Sequence, residues 1–394
     1  MPAQNPVFIP GPTNMPEALR KACDVATLDH RSPAFARMFK PAVAGVKRVL
    51  AMDEGEVFVL PATGTGGWEA AICNTLNPGD TVLAARFGMF SARWIDLCQR
   101  HGLTVEILET PWGEGLPLAR IEAALKADTQ GRIKAVLATH NETATGVRSD
   151  IAGLRRVIDA AGHPALLMVD GVSSIASMPF RFSDWGVDIA VTGSQKGFML
   201  PAGLAILGLS PRALAAMASA TLPRTYFDLR DMAKSYAAGG YPYTPPVGLI
   251  AGLAASVAML EDEGLDSVYA RHHRLAEGVR RAVAAWGLTI CAATPDLASD
   301  TVTAVVAPTG FDATAVVNLA AQKYGVAFGT GLGQVAGKVF RIGHLGMLSD
   351  VMVLAGLATA EMVMADLGWP VKLGSGVAAA QDYYRGSVRL AAAA

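Results

Sequence analysis

The chain has 394 residues, 52% of them hydrophobic and 17% charged, the make-up of a globular protein long enough to bury a large core in two domains. Its 33 basic and 34 acidic side chains leave a formal net charge of -1 with no long run of either sign, which excludes an electrostatic footprint for nucleic acid or an anionic membrane. Small molecules are the expected partners. The cysteines Cys23, Cys73, Cys98 and Cys291 are far apart and form no CxxC or Cys/His cluster, so neither a disulfide framework nor a metal site is expected, and a reducing cytoplasm fits.

The first residues, MPAQNPVFIPGPTNMP, are broken by prolines and lack a basic stretch followed by an apolar core, so they do not read as a secretory signal. From residue 57 to 207, short β-branched apolar runs alternate with longer helical patterns, the mark of a parallel sheet covered by helices. The expected strands are VFVL (57–60), TVLAA (81–85), TVEIL (104–108), KAVLAT (134–139), ALLMVD (165–170), DIAVTG (188–193) and GLAILGL (203–209). Helices are expected between them over 66–76, 90–100, 118–127 and 151–161. After the Pro-rich segment YPYTPP (241–246) the pattern changes. Two long helices run to about residue 285, followed by the strand-like TVTAVVAP, a helix near 313–323 and the strand-like KVFRIG (338–343).

This gives an α/β large domain over 1–275, whose N-terminal segment could instead pack on the small domain, and a smaller α+β domain over 276–394, with the boundary resting on the change of pattern alone. The apolar stretch 247–260 falls short of the roughly 20 residues that cross a bilayer as a helix and reads as a buried helix. The double histidine, His272 and His273, lies in the charged run ARHHRLAEGVRR and reads as a solvated face without chemistry. The Ala-rich tail RLAAAA has no packing pattern and is expected to fray.

Two polar residues stand out against the apolar strands. Lys196, in TGSQKG, follows a buried-looking strand and is flanked by Gly193 and Gly197, where a bulky ligand can approach the backbone. By itself it could equally be a loop lysine with its charge in water. Asp170 ends the near-continuous apolar run ALLMVD, at the strand edge where ligands gather in open α/β sheets. A lone carboxylate there is expensive to desolvate, and a pyridinium nitrogen would be a suitable partner. Pyridoxal phosphate works as an electron sink when its ring nitrogen stays protonated, which a carboxylate enforces, while a lysine binds its aldehyde carbon and later moves protons at the substrate.

PATGTGGWEAAI (61–72) is a glycine- and threonine-rich junction of strand and helix, and such a junction binds phosphate through backbone N–H groups and the helix dipole. Thr63 and Thr65 can add hydroxyl donors, although simple N-capping would suit the same residues. The segment matches neither GxxxxGK[ST] nor GxGxxG, which weakens an ATP or NAD reading. Phe90 could stack on a cofactor ring, or it could be core.

Taken together, FIPGPTNMP, DHRSPAF (29–35), TGTGGWEAA, ATHNETATGV (138–147), VDGVSS, TGSQKG, YPYTPP and GKVFRIGHLG (337–346) resemble the class V, fold-type I aminotransferases, in particular those that use glyoxylate. The resemblance runs almost end to end and implies pyridoxal phosphate as cofactor. It implies that Lys196 carries the cofactor as a Schiff base, that Asp170 pairs with the ring nitrogen and that Val172 packs on the ring face opposite Phe90. Several relatives have tryptophan where this chain has Phe90. Thr63, Gly64, Thr65 and Gln195 would hold the phosphate and Thr143 the ring hydroxyl region. Tyr241 and Thr244 would reach the phosphate of a neighbouring subunit, which implies a homodimer with shared sites.

Arg341 matches the arginine that takes the substrate α-carboxylate, a role suited to a planar guanidinium. The expected reaction moves the amino group of L-aspartate to glyoxylate, with L-serine or alanine as alternative donors. Arg31 is a candidate for the second carboxylate of aspartate, and a structural ion pair would explain it as well. A cysteine desulfurase is disfavoured because Gln195 precedes the lysine and no cysteine follows Cys291. A nicotinamide-dependent dehydrogenase lacks its glycine fingerprint, and a scaffold without cofactor would leave Lys196 and Asp170 without a reason to be together.

Overall fold

The computed structural model describes residues 6–387, so the Ala-rich tail lies outside the described residues. Seven strands form the large sheet in the order Glu56–Ala62, Gly203–Leu209, Ile189–Gly193, Leu166–Asp170, Ile133–Thr139, Thr81–Arg86 and Thr104–Glu109. Gly203–Leu209 runs antiparallel to both of its neighbours, and the other pairings are parallel. The central strands Leu166–Asp170 and Ile189–Gly193 are buried at every position, because helices cover both faces of the sheet. That double burial is why the sequence shows apolar runs there instead of alternation.

Helices Gly64–Thr75, Met89–Arg100, Leu118–Ala127 and Ile151–Ala160 return the chain between strands, each within about two residues of its expected range. Ser32 and Asp150 cap the helices that follow them by accepting from Phe35 N and Gly153 N. A second sheet has the order Val7–Phe8, Ala327–Thr330, Val339–Gly343 and Val302–Val306. Its first pair is parallel, so the start of the chain completes the sheet that the end of the chain builds.

Each sheet has its own hydrophobic core. One runs from Leu19 to Val268, and the other joins Phe8 to residues from Leu275 onward, including Trp286, Phe340 and Leu357. Both draw on one continuous helix, Leu265–Ala285. No helix among the described residues is long and apolar enough to cross a membrane.

One expectation fails on that helix. His272 is buried rather than solvated, with Nδ1 against the Val268 carbonyl at 2.8 Å and Nε2 accepting from Gly346 N at 3.0 Å. It sits on the apolar stripe of Leu275, Ala276 and Val279, which the neighbouring charges mask in the sequence. His273 does face solvent and pairs with Asp300. Burial pushes the His272 imidazole down to about 4, so it is neutral in the fold while the unfolded chain protonates near the usual value of 6.5. Stability is therefore lost as pH falls from about 6.5 towards 4. His272→Leu should remove this pH dependence and lower stability at neutral pH by about 2 kcal/mol, because Gly346 N–H is left unpaired; urea unfolding at pH 5 and 7.5 measures both.

Candidate functional site

Most of the expected site residues converge because they leave the carboxyl ends of strands that run the same way in one sheet. Thr63 follows Ala62, Phe90 follows Arg86, Thr143 follows Thr139, Val172 follows Asp170, and Gln195 and Lys196 follow Gly193. The geometry of an open α/β sheet therefore brings together side chains up to 133 positions apart, from Thr63 to Lys196.

A cavity of about 130 Å³ lies there, lined by Thr63, Gly64, Thr65, Phe90, Thr143, Asp170, Val172, Gln195 and Lys196, together with Trp68 and Ser173. That space is close to what one benzene-sized ring occupies and too small for a dinucleotide. A wider depression of about 720 Å³ opens at the opposite edge of the sheet. Arg155 there pairs with Asp159 and Arg212 with Asp188.

Asp170 is buried, and its Oδ1 accepts from Val172 N at 2.9 Å. Burial raises its carboxyl to about 7; the Val172 N–H opposes this and the negative charge of Glu142 adds to it. Lys196 is half-buried, with its ammonium donating to the Pro10 carbonyl. Desolvation and, after it, the Arg341 charge lower it to about 8, with Asp170 pulling the other way. Without a ligand, neither charge is adequately compensated by the other. Both groups are thus poised near neutrality, one inclined to take a proton and the other to give one.

The phosphate-binding expectation has support at the helix start. Thr63 is the N-cap of Gly64–Thr75, yet its side chain makes no capping hydrogen bond, so the bland reading of this threonine as a cap does not hold. The Gln195 Oε1 and Trp68 Nε1 atoms are buried without hydrogen-bond partners. The Trp68 indole lies close enough to Asp170 to favour its ionised form. A methyl group on Gly64 would meet Val172 Cγ2 at 2.6 Å, so only glycine lets the helix start approach the cavity wall. A free helix N-terminus, two orphaned polar atoms and a buried acid fit a ligand with a phosphate and a ring cation, which is the chemistry of pyridoxal phosphate.

Thr143 Oγ1 donates to Ser173 Oγ at 2.7 Å, and Asn141 Nδ2 donates to the same hydroxyl at 2.8 Å. Arg341 is buried beside the cavity, donating from Nε to the Thr330 carbonyl at 2.9 Å and from Nη1 to the Thr143 carbonyl at 3.0 Å. Burial lowers it to about 10, which leaves it charged at neutral pH.

Arg341 borders the cavity without lining it, and three other expected residues do not join it within one chain. Tyr241 packs against Phe39 and Tyr236, and its buried hydroxyl has no hydrogen-bond partner. Thr244 is exposed. Arg31 is also exposed, and only its backbone N–H is engaged, by Asp29. Trp68, Ser173 and Glu142 were missed by sequence reasoning. Trp68 stands four residues after Gly64, hence on the same helix face, and that spacing could have found it.

A half-buried amine and a buried acid facing one ring-sized cavity are the features of an α/β enzyme site. Comparison with known proteins gives the family: residues 20–348 match the family described as Aminotransferase class-V. The chain is 67% identical to an L-aspartate--glyoxylate aminotransferase of Paracoccus denitrificans, over 98% of this chain and 97% of that protein. It is 51% identical to a serine--glyoxylate aminotransferase of Hyphomicrobium methylovorum, over 96% and 94%. Among solved structures it resembles pyridoxamine-pyruvate aminotransferase of Mesorhizobium loti with a TM-score of 0.91 and 29% identity, over 98% of each chain. The chain belongs to the class-V aminotransferases, and its architecture is that of fold-type I.

Proposed function

We propose that this aminotransferase moves the amino group of L-aspartate to glyoxylate, giving oxaloacetate and glycine, with pyridoxal phosphate as the carrier. The observation that carries the reading is one cavity, lined by both Lys196 and Asp170, in a chain 67% identical to an L-aspartate--glyoxylate aminotransferase. Pyridoxal phosphate, when bound, supplies an aldehyde that takes up the amino group and a ring that draws electrons from the substrate α-carbon.

The residues divide the remaining work. Lys196, whose amine is lowered to about 8, would take the proton from the substrate α-carbon and deliver it to the former aldehyde carbon of the coenzyme. Asp170 would keep the ring nitrogen protonated, and that cation would in turn relieve the cost of the buried carboxylate. Thr63, Gly64, Thr65 and Gln195 offer backbone and side-chain groups to the phosphate. Phe90, Val172, Thr143 and Ser173 line the same cavity, where Phe90 and Val172 would pack on the ring faces and Thr143 with Ser173 would border its edge. Arg341 binds the substrate α-carboxylate, held for it by two backbone carbonyls.

Arg341→Gln should raise KM for the amino donor by about 100-fold, the loss of a charge-assisted pair, while kcat changes far less. Steady-state kinetics with both substrates varied gives the split.

Serine is the second reading for the donor, supported by 51% identity to a serine--glyoxylate aminotransferase. Comparing kcat/KM for aspartate and serine with glyoxylate as acceptor decides it; a higher value for serine would replace aspartate. A desulfurase is opposed by chemistry as well as sequence: no cysteine lines the cavity, and burial raises all four thiols above their usual range. We also propose a cytoplasmic homodimer in which Tyr241 and Thr244 serve the partner's site, a role that would engage the unpartnered Tyr241 hydroxyl. Arg31 is proposed to meet the second carboxylate of aspartate from its exposed position.

A further inference from the structure

We propose that Glu142 is a positioning residue for this transamination: by accepting N–H bonds from Phe90, Ser91 and Ala144 it fixes both the aromatic wall of the cavity and the turn whose Thr143 carbonyl orients Arg341. The inference rests on the function proposed above and adds a residue to it.

Glu142 sits in a two-stranded hairpin formed by Asn141–Glu142 and Val147–Arg148, and it is fully buried. Its Oε1 accepts from Phe90 N and Ala144 N, each at 3.2 Å, and its Oε2 accepts from Phe90 N at 3.1 Å and Ser91 N at 3.0 Å. Phe90 and Ser91 lie in the first turn of the helix Met89–Arg100, so the carboxylate meets the positive end of a 12-residue helix. These amides oppose the burial that raises the carboxyl above its usual range.

The geometry asks for a carboxylate and not merely a polar side chain. Both oxygens face N–H donors, so an amide in either orientation would set its own NH₂ against a backbone N–H. Close approach matters as well. A methyl group added to Gly88 would overlap the Glu142 carboxylate, so glycine there allows the helix start to close on it.

Two functional elements depend on this one group. The backbone of Phe90, whose ring lines the cavity, is tied to it directly. The Ala144 amide is tied to it too, next to Thr143, whose carbonyl accepts from Arg341 Nη1 and whose hydroxyl reaches Ser173. Ring stacking and carboxylate capture are therefore set by a common anchor. Displacements near 1 Å at such a point can lower turnover by up to about 100-fold.

The test uses the coenzyme-loaded enzyme and the Glu142→Gln variant. Borohydride trapping should still place one pyridoxyl group per chain on Lys196 in both. The variant should show an altered visible circular dichroism of the bound chromophore and a KM for the amino donor raised about tenfold or more. Wild-type dichroism and KM, with at most a lower melting temperature, would reduce Glu142 to a structural cap and overturn the proposal. If Glu142→Gln does not fold, Gly88→Ala takes its place, since it shifts the helix start while keeping the charge; the same two changes are expected, and their absence overturns the proposal. Failure of both variants to fold also counts against it, because the role would then be structural. Absence of the pyridoxyl group from the wild-type chain would instead sink the function on which the inference rests.

Discussion

Lys196→Met should lower transamination by about four orders of magnitude or more, since it removes the proposed covalent anchor and proton carrier at once. The same change should stabilise the protein when it is prepared free of coenzyme. Lys196 titrates near 8 in the fold and near 10.5 in the unfolded chain, so its charged form is disfavoured by folding. The cost is fully present below about pH 8 and fades as pH rises towards 10.5. Methionine fills similar volume without charge, and the expected gain is about 2 kcal/mol at pH 7, shrinking at pH 10. Denaturant melts of the coenzyme-free proteins at the two pH values check the sign; a less stable variant at pH 7 would contradict this account of the lysine.

Asp170→Asn carries the second large effect, with the opposite pH window. Its carboxyl titrates near 7 in the fold and near 3.8 when unfolded, so ionisation works against folding as pH rises through that interval. Above about pH 7 the coenzyme-free variant should be more stable than the native chain by on the order of 3 kcal/mol, and below about pH 4 the two should converge. Activity should move the other way, falling about 1000-fold or more, because asparagine cannot hold the ring nitrogen in its protonated form. A stable protein that loses its chemistry is the signature of a group kept for function against the interests of the fold. Equal stability at pH 8 would show that Asp170 is not a strained acid.

The sequence made the strand frame legible because central strands buried on both faces appear as uninterrupted apolar runs, as in ALLMVD and DIAVTG. The antiparallel direction of Gly203–Leu209 was not legible, since an apolar run carries no sign of orientation. Val7–Phe8 and Asn141–Glu142 are only two residues long, too short for any periodicity to register. Asp170 and Lys196 stood out as polar residues at the ends of apolar runs, and the cavity between them follows from adjacent parallel strands. Glu142 was hidden for a different reason: it bonds backbone amides, and those leave no trace in residue type. His272 was misread because the charges around it outweighed its place on an apolar stripe. Tyr241 and Thr244 are proposed to act in a second subunit, a relation that one chain's pattern does not express.

Borohydride reduction followed by proteolysis and mass spectrometry tests the central claim most directly. A phosphopyridoxyl group on the peptide containing Lys196, absent from the Lys196→Met variant, is the predicted result. A protein purified with pyridoxal phosphate that shows no such group, or carries it on another lysine, would contradict the account of the site.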